Sequence, residues 1–268
     1  MTGDVSAVAS GGCHIFNGCG FPAPGLRDFD WKPFFTIAGV GFTKPMLLAI
    51  LAALVVIAFF WMAFRTPKLI PHGVQNLGEI AILAVRDQIL RPSLGRKGDS
   101  YLPFLVSLFF FIYIMNVMEL IPLLQFPVTS RIGFVWPLVF IVYFLYLYLG
   151  VKHQGAWGYL RNMIPPGVPW PIYIILVPVE LLRFFVFQPF TLGVRLFGNM
   201  FAGHLLLTIF TVATWYLLTL SVGLLYAVGS FALAIFVFVL ETLVTLLQAF
   251  IFTTLTATYI ASSVEPAH

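Results

Sequence analysis

Two arginines, one histidine and two glutamates interrupt a stretch that otherwise carries no charge. From Gly167 to Ser262 the only Asp, Glu, Lys, Arg or His residues are Glu180, Arg183, Arg195, His204 and Glu241. Arg195 lies deep in this apolar region. A guanidinium at the centre of a bilayer costs about 2.5–3.5 kcal/mol on insertion scales, and it cannot escape by losing its proton as lysine can. Such a cation calls for a partner or a water-lined cavity. A histidine beside a carboxylate is a different device. It titrates near neutrality, its partner tunes it, and it can relay protons.

Spacing tests whether these residues can meet. In an antiparallel helical hairpin, facing residues have a roughly constant sum of positions. Arg195 with Gln248 gives 443, and His204 with Glu241 gives 445. One register therefore serves both pairs, with a turn near residue 222, where Ser221 and Gly223 stand. Asn199 is four residues beyond Arg195 and shares its helix face. His204 is nine residues from Arg195, close to 180° around the helix at about 100° per residue, so the two look in different directions. Gln248 and Glu241 are seven apart and share a face.

The elements that hold these residues are spans of a membrane. Apolar residues make up 60% of the 268 and charged ones 9%, against about 45–50% and about 25% in soluble domains. Pro45–Phe64 is an uncharged run long enough to cross. Arg65 and Lys68 follow it and put that end in the cytoplasm. Residues 72–91 are amphipathic: Val74, Leu77, Ala81 and Val85 on one face, Gln75, Glu79 and Arg86 on another, with Pro92 as the stop. They read as a helix lying on the cytoplasmic surface, followed by the cations Arg91, Arg96 and Lys97. Leu102–Leu124 is the next span, with Asn116 and Glu119 near its far end. Glu119 is either the outer entrance of an ion path or a solvated interfacial carboxylate. Gly133–Gly150 returns to the cytoplasm, with Tyr143, Tyr146 and Tyr148 as an interfacial belt before Lys152, His153 and Arg161. The Pro165–Pro171 segment is a rigid break.

The last apolar region is about ninety residues. Two helices of forty or so would each approach 60 Å, about twice the hydrocarbon thickness. The region either breaks into four spans or forms two long, tilted helices. Residues 1–44 are rich in Gly and Pro and read as a tail outside the membrane, without the basic and apolar regions of a cleaved signal peptide. Cys13 and Cys19 match no zinc pattern; they are either a disulfide on the outer side or two free thiols. The net charge of +4 comes from loop cations and reports topology rather than nucleic-acid binding. No phosphate-loop motif is present, so nucleotide chemistry would belong to a partner, and no cofactor or metal is expected on this chain.

The stretch Leu192-Gly-Val-Arg-Leu-Phe-Gly-Asn-Met-Phe-Ala-Gly-His204 resembles the signature of the subunit a family of F-type ATP synthases. Glu241-Thr-Leu-Val-Thr-Leu-Leu-Gln-Ala-Phe-Ile-Phe252 is similar to a second signature of that family. The resemblance covers roughly residues 70–262. It implies an all-α bacterial membrane protein with five embedded helices, one surface helix, and a near-horizontal helical hairpin over about 171–262. It implies a proton-translocating stator subunit without a catalytic site of its own. Its partners would be a ring of two-helix c subunits, peripheral-stalk b subunits, membrane lipid and the soluble ATPase sector. The N-terminus would lie outside and the C-terminus in the cytoplasm. Arg195 becomes the essential cation facing the rotor, and His204 with Glu241 the proton pair of an outer half-channel. Many members carry that pair in the opposite order. Asn199 and Gln248 would hydrogen-bond around the arginine. The family also places an acid near Glu180, on the inner half-channel; a structural pair between Glu180 and Arg183, at i and i+3, is the alternative. Two other functions compete. A proton-coupled secondary transporter would show internal repeats with paired broken helices, and the sequence has none. An intramembrane hydrolase would need a nucleophile and base or a metal motif, and neither is present.

Overall fold

The computed structural model describes residues 21, 24–25, 35–37, 40–121, 124–162, 170–218 and 222–264. Cys13, Cys19, most of the N-terminal tail and residues 165–169 of the proline-rich break fall outside these. The described chain is an all-α membrane protein, with five helices long and apolar enough to cross a bilayer. A short ribbon precedes them. Strand β1 (Phe35–Ile37) pairs antiparallel with β2 (Val40–Phe42), with Phe35 opposite Phe42.

Helix α1 (Lys44–Phe64) is the first span. Helix α2 (Val74–Val85) is the amphipathic segment. Of its expected apolar stripe, Val74 and Leu77 are exposed, together with Ile80 and Leu83, Ala81 is half-buried, and Val85 is buried. Gln75, expected on the solvated face, is instead buried. Its amide donates to the Lys68 carbonyl at 2.8 Å and to Glu79 Oε1 at 2.8 Å, and its Oε1 accepts from the Lys68 N–H at 3.0 Å. Gln75 thus anchors the helix to the preceding loop, and Val74, Leu77, Ile80 and Leu83 form an exposed apolar patch.

Pro92 does not stop the helix. A π-turn at Arg86–Leu90 precedes it, in which the Arg91 N–H reaches the Arg86 carbonyl, and the chain stays helical through Leu94. The widened turn relaxes the i→i−4 ladder where proline lacks its donor. The stop is Gly95, at φ +60°, a conformation that favours glycine.

Helix α3 (Leu102–Val117) is shorter than the run that encodes it; Asn116 sits in its last turn and Glu119 just beyond. Helix α4 spans Ile132–Gln154 and α5 spans Ala156–Asn162. Helix α6 (Trp170–Leu182) passes through a π-turn at Arg183–Phe187 into α7 (Gln188–Leu217), and α8 covers Val222–Val264. The ninety-residue region is therefore two long helices rather than four spans. At 43 residues, α8 is about 64 Å long. Helix α7 ends at Leu217, a little before the turn expected near residue 222, and Gly223 lies inside α8.

The chain divides into two compact units. One draws on Met1–Ile50, Met115–Arg131 and Gly198–Leu246; the other on Leu51–Ile114, Ile132–Phe197 and Leu247–His268. In the second unit, Gly150 on α4 lets the Tyr159 ring close on the helix: a Cβ there would overlap the ring. Burial pushes the Tyr159 phenol above its usual range, so it stays neutral and hydrogen-bonds Ser263 Oγ at 2.9 Å. A Gly150→Ala substitution is expected to cost about 1–3 kcal/mol through overpacking, read as a lower melting midpoint of the purified protein. An unchanged midpoint would show that Tyr159 yields freely.

Candidate functional site

The first unit encloses a polar cluster. Glu119 is 3% exposed and Glu241 3%, and His204 is largely enclosed. His204 Nδ1 lies 3.1 Å from Glu119 Oε1. The partner read from the sequence was Glu241, but Glu119 makes this contact from 85 residues away. Glu241 is close by: its carboxylate packs against Gly203, where any Cβ would overlap it. Glu241 also lies within electrostatic range of Glu119. The three side chains form one group rather than a single pair.

The elements explain the placement. Within this unit α7 and α8 run antiparallel. Gly203 meets Glu241, and the Ser230 hydroxyl donates to the Phe210 carbonyl at 3.0 Å. The position sums, 444 and 440, keep the expected register within about one helical turn. Glu119 is delivered by the turn after α3, where its N–H bonds the Asn116 carbonyl at 3.1 Å. Phe126 closes one side, edge-on to the imidazole at 5.9 Å between centroids.

A second layer was not foreseen. Asn116, Thr129 and Ser130 are all buried, and the Thr129 hydroxyl donates to Asn116 Oδ1 at 2.5 Å. The signal was the adjacent hydroxyl pair Thr129-Ser130, two residues beyond Pro127, in the short connection that also carries Glu119. Glu119 Oε2, Glu241 Oε1 and Asn116 Nδ2 are buried without a hydrogen-bond partner among the described residues. Buried polar atoms are normally satisfied by protein or by ordered water. A site with several such atoms suits water or a passing proton.

The second unit carries Arg195 and Gln248. Leu192 and Leu196 are buried and Gly193 packs near Val139, so that face of α7 is inward. Arg195 lies on the exposed side, with Val194 and Phe190 also exposed. Gln248 is buried on α8, between exposed Leu247 and buried Ala249. Asn199, in the first unit, is exposed like Arg195. Glu180 Oε2 accepts from Arg183 Nε at 2.7 Å. Arg195 and Arg183 both lie within electrostatic range of the Tyr259 hydroxyl on α8.

Comparison with known proteins places this arrangement. The family described as ATP synthase A chain matches residues 46–261. This chain belongs to that family. The ATP synthase A chain match contains Glu119, Glu180, Arg195, Asn199, His204, Glu241 and Gln248, and it takes in α1, which the signatures alone did not reach. A relative named ATP synthase subunit a from Streptomyces lividans is 42% identical over 262 residues, covering 96% of this chain and 92% of that protein. One of the same name from Frankia alni is 41% identical over 251 residues, covering 91% and 86%. Another, from Hyphomonas neptunium, is 35% identical over 224 residues, covering 82% and 86%.

Proposed function

We propose that this chain is the proton-translocating stator subunit in the membrane sector of a bacterial F-type ATP synthase. Arg195 is its fixed cation, and Glu119, His204 and Glu241 line its outer proton path. Membership of the ATP synthase A chain family supports the function. The observation that carries the residue roles is the contrast in exposure. A permanent cation stands on an apolar surface, while a histidine and two carboxylates are enclosed elsewhere.

An exposed guanidinium among lipid-facing residues is costly unless another chain supplies an anion. In this reading that anion is a mid-membrane carboxylate of a rotor ring of two-helix subunits. Arg195 favours its ionised form, since an opposite charge nearby lowers a carboxylate pKa by about 1–3 units. Each ring carboxylate gives up its proton to the inner path as it reaches Arg195. It moves on, is reprotonated through Glu119, His204 and Glu241, and enters lipid as a neutral acid. The same cation repels protons that would pass straight between the two paths. Each crossing is worth about 2.3 kcal/mol per 100 mV, and that barrier makes the energy available as rotation. Asn199 and Gln248 hold the polar surroundings of the arginine, and Glu180 with Arg183 stands toward the inner path. ATP chemistry belongs to the soluble sector, and peripheral-stalk b subunits hold the stator. The positive residues after α1, α2 and α4 support a cytoplasmic C-terminus and an outer N-terminus in the cell membrane.

Purification from membranes tests this. A stator subunit brings with it a small two-helix ring protein and soluble ATPase subunits. A proton-coupled transporter would come out without them, and that result would end this reading.

A further inference from the structure

Tyr146 was expected in the interfacial belt with Tyr143 and Tyr148. Tyr148 fits that role, exposed at 62% with Lys152 Nζ 5.7 Å from its ring centroid. Tyr146 does not: it is 2% exposed. Its ring sits among Tyr143 (5.3 Å), Phe184 (5.4 Å) and Tyr259 (5.7 Å), from α4, the π-turn before α7, and α8. Its hydroxyl is buried with no hydrogen-bond partner among the described residues. A phenylalanine would fill the same space without that penalty, since an unsatisfied buried polar group costs about 1–3 kcal/mol.

The neighbouring hydroxyls have structural tasks. Ser263 Oγ donates to the Tyr259 carbonyl at 2.9 Å, so its contact with the Tyr159 hydroxyl, also 2.9 Å, is donated by Tyr159. The Gln154 amide donates to the Ser263 carbonyl at 2.8 Å. These bonds tie the C-terminal end of α8 to α4 and α5. The Tyr146 ring packs on Tyr259, the residue within electrostatic range of Arg195, and its hydroxyl lies within electrostatic range of Tyr159, which bonds this tied end.

We infer that the Tyr146 hydroxyl is a relay point of the inner proton path, between Arg195 and the C-terminal end of α8. The inference rests on the stator reading above. The phenol oxygen accepts a proton from a water on the arginine side while its own O–H proton passes to a water on the other. One O–H bond forms and one breaks, the hydroxyl is regenerated by rotation, and no other reactant is needed. In this role the Tyr146 hydroxyl passes the proton on and does not keep it.

The test uses the whole complex in liposomes, stripped of its soluble sector, with passive proton conduction and melting midpoint both measured. Tyr146→Phe is expected to lower conduction about 2- to 10-fold, what one hydrogen bond is worth, without lowering the midpoint. Tyr146→His, which keeps a hydrogen-bonding ring, is expected to recover conduction and make it pH-dependent. Parental conduction in Tyr146→Phe overturns the inference. So does an equal loss in both variants, which would assign the effect to ring packing. Arg195→Ala in the intact complex, soluble sector included, separates the two readings: if it abolishes ATP-driven pumping while Tyr146→Phe conducts like the parent, only the relay fails.

Discussion

ATP-driven proton pumping is expected to disappear when Arg195 is replaced by alanine, with the complex still assembled. The side chain is exposed on α7 while its neighbours Leu192 and Leu196 carry the packing. Truncating it therefore leaves no cavity, and exposed substitutions away from packed features change stability little. The chemistry loses far more. A cation that lowers a carboxylate pKa by about 1–3 units shifts its ratio of ionised to protonated form by roughly 10- to 1,000-fold. Without it the ring carboxylate has no reason to release its proton at the stator. The barrier to direct leakage goes as well. Pumping by reconstituted complexes falls at least tenfold in this account, by the lower end of that range, while passive leak rises. Arg195→Lys restores charge but not permanence, because a lysine on an apolar, lipid-facing surface can deprotonate where an arginine cannot, so it recovers only part of the coupling. Normal pumping in Arg195→Ala would remove the cation from the mechanism.

Much of this was legible because apolar length and helical spacing are one-dimensional. The run from Gly167 to Ser262 is too long for two upright spans, so counting leaves four spans or two long helices, and the resemblance to the subunit a family selects the second. The sums for Arg195–Gln248 and His204–Glu241 bracket the observed Gly203–Glu241 contact. What could not be read was three-dimensional. No periodicity links Glu119 to His204 across 85 residues and three intervening helices; only the turn after α3 brings them together. Tyr143, Tyr146 and Tyr148 look alike as a belt. Yet Tyr143 and Tyr146, at i and i+3, share a face, while Tyr148 is on another, and only packing decides which face is inward. Pro92 failed as a stop because a π-turn upstream absorbed its missing donor. Gln75 failed as a solvated residue because its amide found the Lys68 backbone.

The enclosed cluster gives the second large effect, and a double-mutant cycle isolates it. His204→Gln and Glu119→Gln are each expected to slow proton conduction through the membrane sector by about tenfold or more, by removing one of two positioned groups that exchange the proton. Made together, they should cost little more than either alone. Once one partner is gone, the other has nothing to exchange a proton with across the 3.1 Å contact. Coupled contact pairs show interaction energies of about 0.5–3 kcal/mol, and independent sites add within about 0.5. The cycle between His204 and Glu241 is the comparison. Glu241 rests against Gly203, and its Oε1 has no hydrogen-bond partner among the described residues, so its coupling to His204 is expected to be the weaker. Additive losses for His204 with Glu119, measured as conduction per assembled complex, would mean that the contact is structural. A larger coupling with Glu241 would return the proton pair to the two long helices and leave Glu119 as their neighbour.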